Sequence, residues 1–405
     1  MIFCITVLLG ISTVSGYAAA LIIDHNDIDI TQWTEAEINR AKSVLHIAYG
    51  HTSHGSQVTD GMNGLVGFAN GGGLGLSLPA DIFAWNNGGS GGALDLHDYA
   101  MGGDVGYYPQ WYNNTTNYLE DPAHADVNVI MWSWCGQMPG KYAAGTLTNE
   151  YLAPMSALEA TYTNVTFVYM TGHSDIWDDA NQKAACDAIR NYCIENGKVL
   201  FDFSDIEHHN PDGTFFEFVN DSCDYYAYAG GAVQGNWATE WQGGHTENTD
   251  WYSCSSAHSQ PLNANMKAYA IWALWCRLAA DLDRDTFPDE WEERYGGEDQ
   301  FSSPSADRDG DGQSDWAEYV ADTNPTNGSS RLAINGRAQD GSRRITLSCT
   351  NSRLYSLEVS PSLTTGSWTC VSICSNVTGD ADGTMTLDLP GTQPVDFYRI
   401  SVAVP

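Results

Sequence analysis

The feature that most restricts the fold of this chain is a set of apolar runs that each end in a polar turn. Counted with their polar ends they are Val44–Gln57, which breaks at Gly50, Val127–Gln137, Val165–His173 and Lys198–Asp205. Helical stretches lie between and after them: residues 58–69, 152–162, 180–196 (stopped by Gly197, a residue suited to a left-handed cap) and 264–280. Ahead of the first run, Thr34 and Glu37 are spaced as a capping box for a short helix. Buried strands alternating with helices of a dozen residues predict a parallel sheet covered on both faces, an α/β domain over residues 21–280. The polar ends of the strands then fall on one edge of that sheet, where open α/β folds bind their ligands. The densest end is Gly50–Ser56, a knot of imidazoles and hydroxyls.

The 405-residue chain has a formal charge of −34, which excludes nucleic acid and anionic membrane surfaces as natural partners. Residues 1–20 read as a secretory signal, with an apolar core from Ile5 and the small residues Ala18–Ala20 at the cleavage site. This predicts a secreted or extracytoplasmic protein, and no run is long enough for a membrane span. Beyond the signal the number of cysteines is odd, so one stays unpaired or pairs between chains. Export permits Cys223–Cys254 and Cys349 with Cys370 or Cys374, whereas Cys186 and Cys193 lie two helical turns apart, too far to bridge.

Residues 64–106 are rich in Gly and Asn, the composition of a surface loop or of backbone held against a ligand. Past residue 280 the texture changes. Between Asp281 and Asp322 stand 15 acidic and 3 basic residues. Asp307, Asp309, Asp311, Asp315 and Glu318 occupy positions 1, 3, 5, 9 and 12 of an EF-hand loop, with Gly312 at position 6. Asp281, Asp283, Asp285, Asp289 and Glu292 repeat the spacing, with Thr286 in place of the glycine. So many oxygens at this spacing suit a hard cation such as Ca²⁺. The segment 281–326 resembles the thrombospondin type 3 and dockerin-like calcium-binding repeats of secreted proteins, which implies a structural spacer. From residue 331 to 405, short alternating runs between Gly, Ser, Asn and Pro turns predict a small all-β sandwich.

The block order of residues 40–280 resembles the SGNH or GDSL hydrolase superfamily, whose fold is a three-layer α/β/α sandwich. The resemblance implies Ser53 as nucleophile, with Ser56 as its rival, and His258, just before the last helix, as the base. It places Gly103 and Gln137 beside the Ser53 N–H as oxyanion donors. Three residues before His258 stands Ser255 where the superfamily has Asp. The orienting carboxylate then falls to Asp250, the nearest candidate, or the enzyme works as a Ser–His dyad. Gly-x-Ser-x-Gly is absent, which argues against an α/β-hydrolase.

His51, His54, Trp134 and His173 stand beside these blocks as candidate substrate-binding residues. The expectation is a secreted serine esterase that removes acyl groups, acetyl among them, from polysaccharide and needs no catalytic cofactor. Its rivals are a metal-dependent hydrolase using His51, His54 and His258, and a non-catalytic glycan-binding surface protein.

Overall fold

The computed structural model describes residues 19–285, 287–297, 301, 303–337, 344–362, 364, 367–389 and 397–404. Most of the expected signal, and Thr286, lie outside the described residues. The chain forms two compact units divided between Asp283 and Arg284, within the first of the two acidic loops.

The first unit is built on seven strands: β1 (Leu21–Ile23), β2 (His46–Gly50), β3 (Trp85–Asn86), β4 (Leu94–Asp98), β5 (Val129–Trp132), β6 (Thr166–Met170) and β7 (Val199–Phe201). Their order is β1-β7-β6-β5-β2-β4-β3, and every pairing is parallel. Strands β2, β5, β6 and β7 are the four apolar runs. Strands β3 and β4 lie in the Gly-rich segment that reads from sequence as a loop, and β1 adds an edge strand beside β7.

Alternation along each strand sends successive side chains to opposite faces. Ile47, Tyr49, Val129, Met131, Val168 and Met170 enter one core with helices α1 (Glu35–Val44), α2 (Ser56–Asn70) and α9 (Pro261–Ala280). Ala48, Ile130, Trp132, Phe167, Tyr169 and Leu200 enter the other. There they meet α3 (Gln110–Glu120), α4 (Met138–Ala143), α5 (Ala153–Thr161) and α6 (Asp179–Glu195). The result is a three-layer α/β/α unit. Helix α9 is buried almost all round, with Trp272 and Trp275 fully enclosed, as expected of a helix that closes a core rather than one facing water. Between β7 and α9 the chain adds α7 (Phe203–Glu207), the hairpin β8 (Asp224–Tyr226) and β9 (Val233–Asn236), and α8 (Trp237–Gly244). No helix of the described residues is long and apolar enough to cross a membrane.

The second unit holds α10 (Asp289–Tyr295), α11 (Asp315–Ala321) and strands β10–β16. Phe287, Trp291 and Phe301 make a small aromatic core, with Trp316 and Tyr319 against it. All strand pairings are antiparallel: β10 (Ile334–Arg337), β11 (Arg344–Ser348) and β15 (Thr384–Asp388) form one sheet. In the other, β12 (Leu354–Ser360) pairs with β13 (Thr369–Cys370), β14 (Val377–Thr378) and β16 (Phe397–Ala403). Ile345, Leu347, Tyr355, Leu357, Met385, Leu387, Tyr398 and Ile400 share one core between the two sheets.

The expected disulfides are not formed: Cys223, Cys254, Cys349, Cys370 and Cys374 are free thiols. Cys223 instead faces the Ser259 hydroxyl at 3.3 Å, and Cys254 accepts from the Asn265 amide at 3.4 Å. Cys186 and Cys193 are buried in the core under α6.

Gly50 ends β2 because nothing larger fits there. A Cβ at this position would stand 2.5 Å from the Trp132 ring on the neighbouring strand. Gly50→Ala is therefore expected to cost about 1–3 kcal/mol of stability through overpacking, read as a lowered denaturant midpoint with unchanged slope.

Candidate functional site

The chain leaves β2 for β4 on one side and later places β5 on the other, so the carboxyl end of β2 is the point where strand order reverses. Open α/β sheets bind ligands in the crevice outside such a point. Residues 51–55 fill this position, and five other segments meet them: the loops after β4, β5 and β6, the loop of Asp221 and the turn before α9.

The β4 loop packs in through backbone bonds from Ala100 N to Tyr49 O (3.0 Å) and from Val105 N to Ser133 O (3.2 Å). Asp104 then accepts from the Thr52 hydroxyl and from the Gln137 amide, both at 3.3 Å. Gly55 is required at the tight turn into α2, since a Cβ there would collide with the Ser133 hydroxyl and with His51.

The centre of the site is a chain of side chains from three separate segments. Ser53 Oγ lies 3.8 Å from Cys135 Sγ, on the β5 loop. Cys135 Sγ lies 3.6 Å from His54 Nδ1. The other ring nitrogen, His54 Nε2, meets Asp221 Oδ2 at 3.1 Å. His54 is also sandwiched between two imidazoles. His173 stacks on one side at 3.9 Å and His258 on the other at 4.3 Å, with rings within 7° and 17° of parallel. His258 sits at φ = 64°, a left-handed turn just before α9, and is exposed.

The electrostatics follow from these contacts. Burial alone would disfavour a charged His54, but the hydrogen bonds to Asp221 and Cys135 and the Glu207 charge outweigh it, and its pKa is pushed up to about 9. The His54 hydrogen bond pulls the Cys135 thiol down to about 7, against a smaller opposing effect of burial. Burial would lift the Asp221 carboxyl, yet the His54 hydrogen bond and the neighbouring imidazoles hold it below the usual carboxylate range. Burial, then the charge on His54, lowers His173. The four groups together favour an imidazolium at His54 between a thiolate and a carboxylate.

The structure distributes the sequence candidates unevenly. Ser53, His54, His173 and His258 converge. Ser56 is the first residue of α2, and its hydroxyl donates back to Ser53 O (2.8 Å) and to Asp60 (3.3 Å). His51 is buried with both ring nitrogens taken, by Asp98 at 2.7 Å and Thr52 O at 2.9 Å. Trp134 turns into the core and bonds Met170 O at 3.1 Å. Gly103 lies exposed in the β4 loop at φ = 93°. Asp250 accepts the Thr246 N–H at its own turn, 2.7 Å away, and the carboxylate beside the imidazoles is Asp221. Sequence reasoning missed Asp221 and Cys135. Cys135 stands between Trp134 and Gln137, both singled out from the sequence, and that proximity was the available signal for it.

Donor atoms of His54, Asp221 and His258 all lie within 4.8 Å of one another. To hold a metal ion there, His54 would have to give up its bond to Asp221, because Cys135 takes its other nitrogen. His51, the third histidine of the metal-dependent reading, is held apart from this group by Asp98 and Thr52 O.

Beneath the site runs a buried polar network. Lys267 Nζ, fully buried on α9, contacts Glu207 Oε1 at 2.6 Å and the Gln57 side-chain carbonyl. Glu207 Oε2 accepts the Ser174 N–H at 2.6 Å, and Gln57 donates to Ala257 O at 2.5 Å. The network therefore pins α2, the β6 loop and the residue before His258 to one helix.

The second acidic loop has the oxygens of a cation site. Gly312 turns at φ = 95°, and Asp307 accepts the Gly310 and Gly312 N–H groups. Asp309 Oδ2, Asp311 Oδ2 and Glu318 Oε2 are buried without a hydrogen-bond partner among the described residues. Burial, then Asp309 and further neighbouring carboxylates, push Glu318 up to about 8. Orphaned buried oxygens of this kind fit Ca²⁺, which Asp307, Asp309, Asp311, Asp315 and Glu318 would hold as a structural ion.

Comparison of the chain with protein-family models and with curated proteins finds no match.

Removing the Lys267 charge (Lys267→Met) leaves Glu207 buried and unpaired, and is expected to cost about 3–5 kcal/mol in denaturant unfolding. Ca²⁺ at a hundred times its dissociation constant is expected to stabilise the second unit of the full chain by about 2–3 kcal/mol. Calorimetry with and without chelator reads this, and Glu318→Gln should remove most of the gain.

Proposed function

We propose that the first unit is a secreted hydrolase that cleaves acyl esters, acetyl esters among them, on polysaccharide. The observation that carries this reading is the convergence of a hydroxyl, a thiol, three imidazoles and a carboxylate at the strand-order reversal. Nucleophile, proton acceptor and orienting acid at hydrogen-bond spacing are what covalent acyl transfer requires.

The resemblance alone makes this a serine esterase. In it Ser53 Oγ attacks the carbonyl carbon and His258 takes the hydroxyl proton. The Ser53 and Gly103 N–H groups and the Gln137 amide receive the developing oxyanion. Asp221, with a carboxylate oxygen within 4.8 Å of a His258 nitrogen, is the carboxylate nearest to hand for that base in place of the missing Asp. Exposed aromatic side chains on the surrounding loops support a carbohydrate substrate: Tyr99, Tyr107 and Tyr108 on the β4 loop and Trp177 on the β6 loop. Aromatic faces stack on the apolar faces of sugar rings. The signal, the calcium loops, which act as a structural spacer, and the β module fit an enzyme working outside the cell.

Incubation with acetylated xylan, with released acetate measured, tests the reading. Wild-type protein is expected to release acetate, and Asp221→Asn to lower kcat/KM about 10²–10⁴-fold with the fold intact by circular dichroism. Tight binding of the glycan with no acetate released would overturn it in favour of a glycan-binding protein.

A further inference from the structure

Two nucleophiles face the same space at the end of β2, and the structure treats them differently. Among the described residues, the hydrogen-bond partner of Ser53 Oγ is the sulfur of Cys135, and no imidazole nitrogen reaches it. His258, the base expected for Ser53, presents its ring face to His54. Cys135 by contrast has the complete set: His54 Nδ1 at 3.6 Å from Sγ, and Asp221 on the far nitrogen of the same ring at 3.1 Å. Nucleophile, base and orienting acid in this relation define a triad by geometry, whatever their order in the chain.

We propose that Cys135 Sγ is the atom that attacks the acyl carbonyl, with His54 as its proton partner and Asp221 as the residue that orients His54. The proposal rests on the hydrolase reading above. The thiol proton rests on His54 Nδ1 in the starting thiolate–imidazolium pair, and a sulfur electron pair forms the S–C bond. The C–O bond to the sugar breaks, its electron pair leaves with the oxygen, and that oxygen takes the proton from His54. Water then attacks the thioester carbonyl and gives its proton to His54. The C–S bond breaks, the carboxylic acid departs, and the thiolate–imidazolium pair is restored.

The environment of the sulfur separates it from the structural thiols of the chain. Cys135 is half-buried at the mouth of the site, with hydroxyls of Ser53 and Thr52 beside it. Among the described contacts of Cys186, Cys223, Cys254 and Cys276 there is no imidazole, and burial pushes each of them up to about 12. Reactive cysteines are partly exposed beside a cationic imidazole, and inert ones lie in apolar cores. Ser53 Oγ, on this assignment, is a hydrogen-bond donor to the attacking sulfur.

The test has two readouts on the full chain. Alkylation by iodoacetamide, mapped cysteine by cysteine across pH 5–9, is expected to modify Cys135 ahead of the exposed Cys370, with a midpoint near about 7 that rises in Asp221→Asn. Acid quench during turnover of 4-nitrophenyl acetate is expected to trap an acetyl group on the Cys135 peptide, labile to neutral hydroxylamine as thioesters are. Cys135→Ala is expected to lose about 100-fold or more in rate. Cys135→Ser, which keeps the side-chain shape, controls for misfolding and is expected to be as impaired. Ser53→Ala is expected to retain at least about a tenth of the rate. Acetyl on Ser53 with Cys135→Ala fully active would overturn the proposal and leave the hydrolase reading standing. No turnover of 4-nitrophenyl acetate or acetylated xylan, with the alkylation profile intact, would remove the hydrolase reading and the attack step with it. Alkylation of Cys135 no faster than that of Cys370 would overturn the thiolate assignment itself.

Discussion

The contact on which the first unit depends is the buried ion pair between Lys267 and Glu207. Neither side chain reaches water, and burial drags the lysine below its ordinary range while Glu207 holds it up. Two buried charges are tolerated only when each is closely paired and its remaining hydrogen-bonding capacity is used. Here Gln57, Ser174 and Asn263 do that work, drawn from α2, the β6 loop and α9. The Lys267 ammonium also lies 3.4 Å from the centre of the Phe203 ring. The pair therefore acts as a fixed point below the sheet edge, and the loops of the site hang from it. Through Gln57 it holds Ala257, and so the turn that carries His258. Through Ser174 it holds the loop that carries His173. The Glu207 charge also favours the charged form of His54.

Packing sets the other limits on the site. Gly50 admits the Trp132 ring and Gly55 the Ser133 hydroxyl, so β2 and β5 approach closely where their loops diverge. That closeness brings Cys135 to His54. The stacked imidazoles on either side of His54 shield it from water without competing for its two nitrogens, both of which stay directed at Cys135 and Asp221. Cys135, His54 and Asp221 thus lie in one line of contacts through the two nitrogens of a single ring.

Much of this architecture is legible in the amino-acid sequence because the central strands are continuous apolar runs. A parallel strand buried on both faces has little freedom in composition. The α/β class, helices α2, α5, α6 and α9, and the antiparallel strands of residues 331–405 all follow from period and punctuation. What escapes is short or remote. Strand β4 carries Leu94 and Leu96 inside a run of glycines, and β3 spans two residues, so neither offers a window long enough to show a period. Asp221 stands in a loop-rich stretch with nothing local to mark it, about 170 residues from His54. Asp250 is nearer to His258 in sequence but is used by its own turn. Cysteines behind an expected secretory signal suggest disulfides first, which hides a thiol held by an imidazole. Pairwise placement of such residues is decided by the tertiary fold.

The electrostatic state of His54 carries the account, since thiol, imidazole and carboxylate act together only if that ring is charged between its two partners. Nitrogen-15 NMR of the imidazole rings, followed through pH 5–10 in wild type and in Asp221→Asn, reads that state directly. His54 is expected to stay protonated through pH 8, to titrate at about 9, and to fall in pKa when Asp221 is neutralised. A His54 ring that titrates near the ordinary histidine value of about 6.5, unmoved by Asp221→Asn, would contradict it.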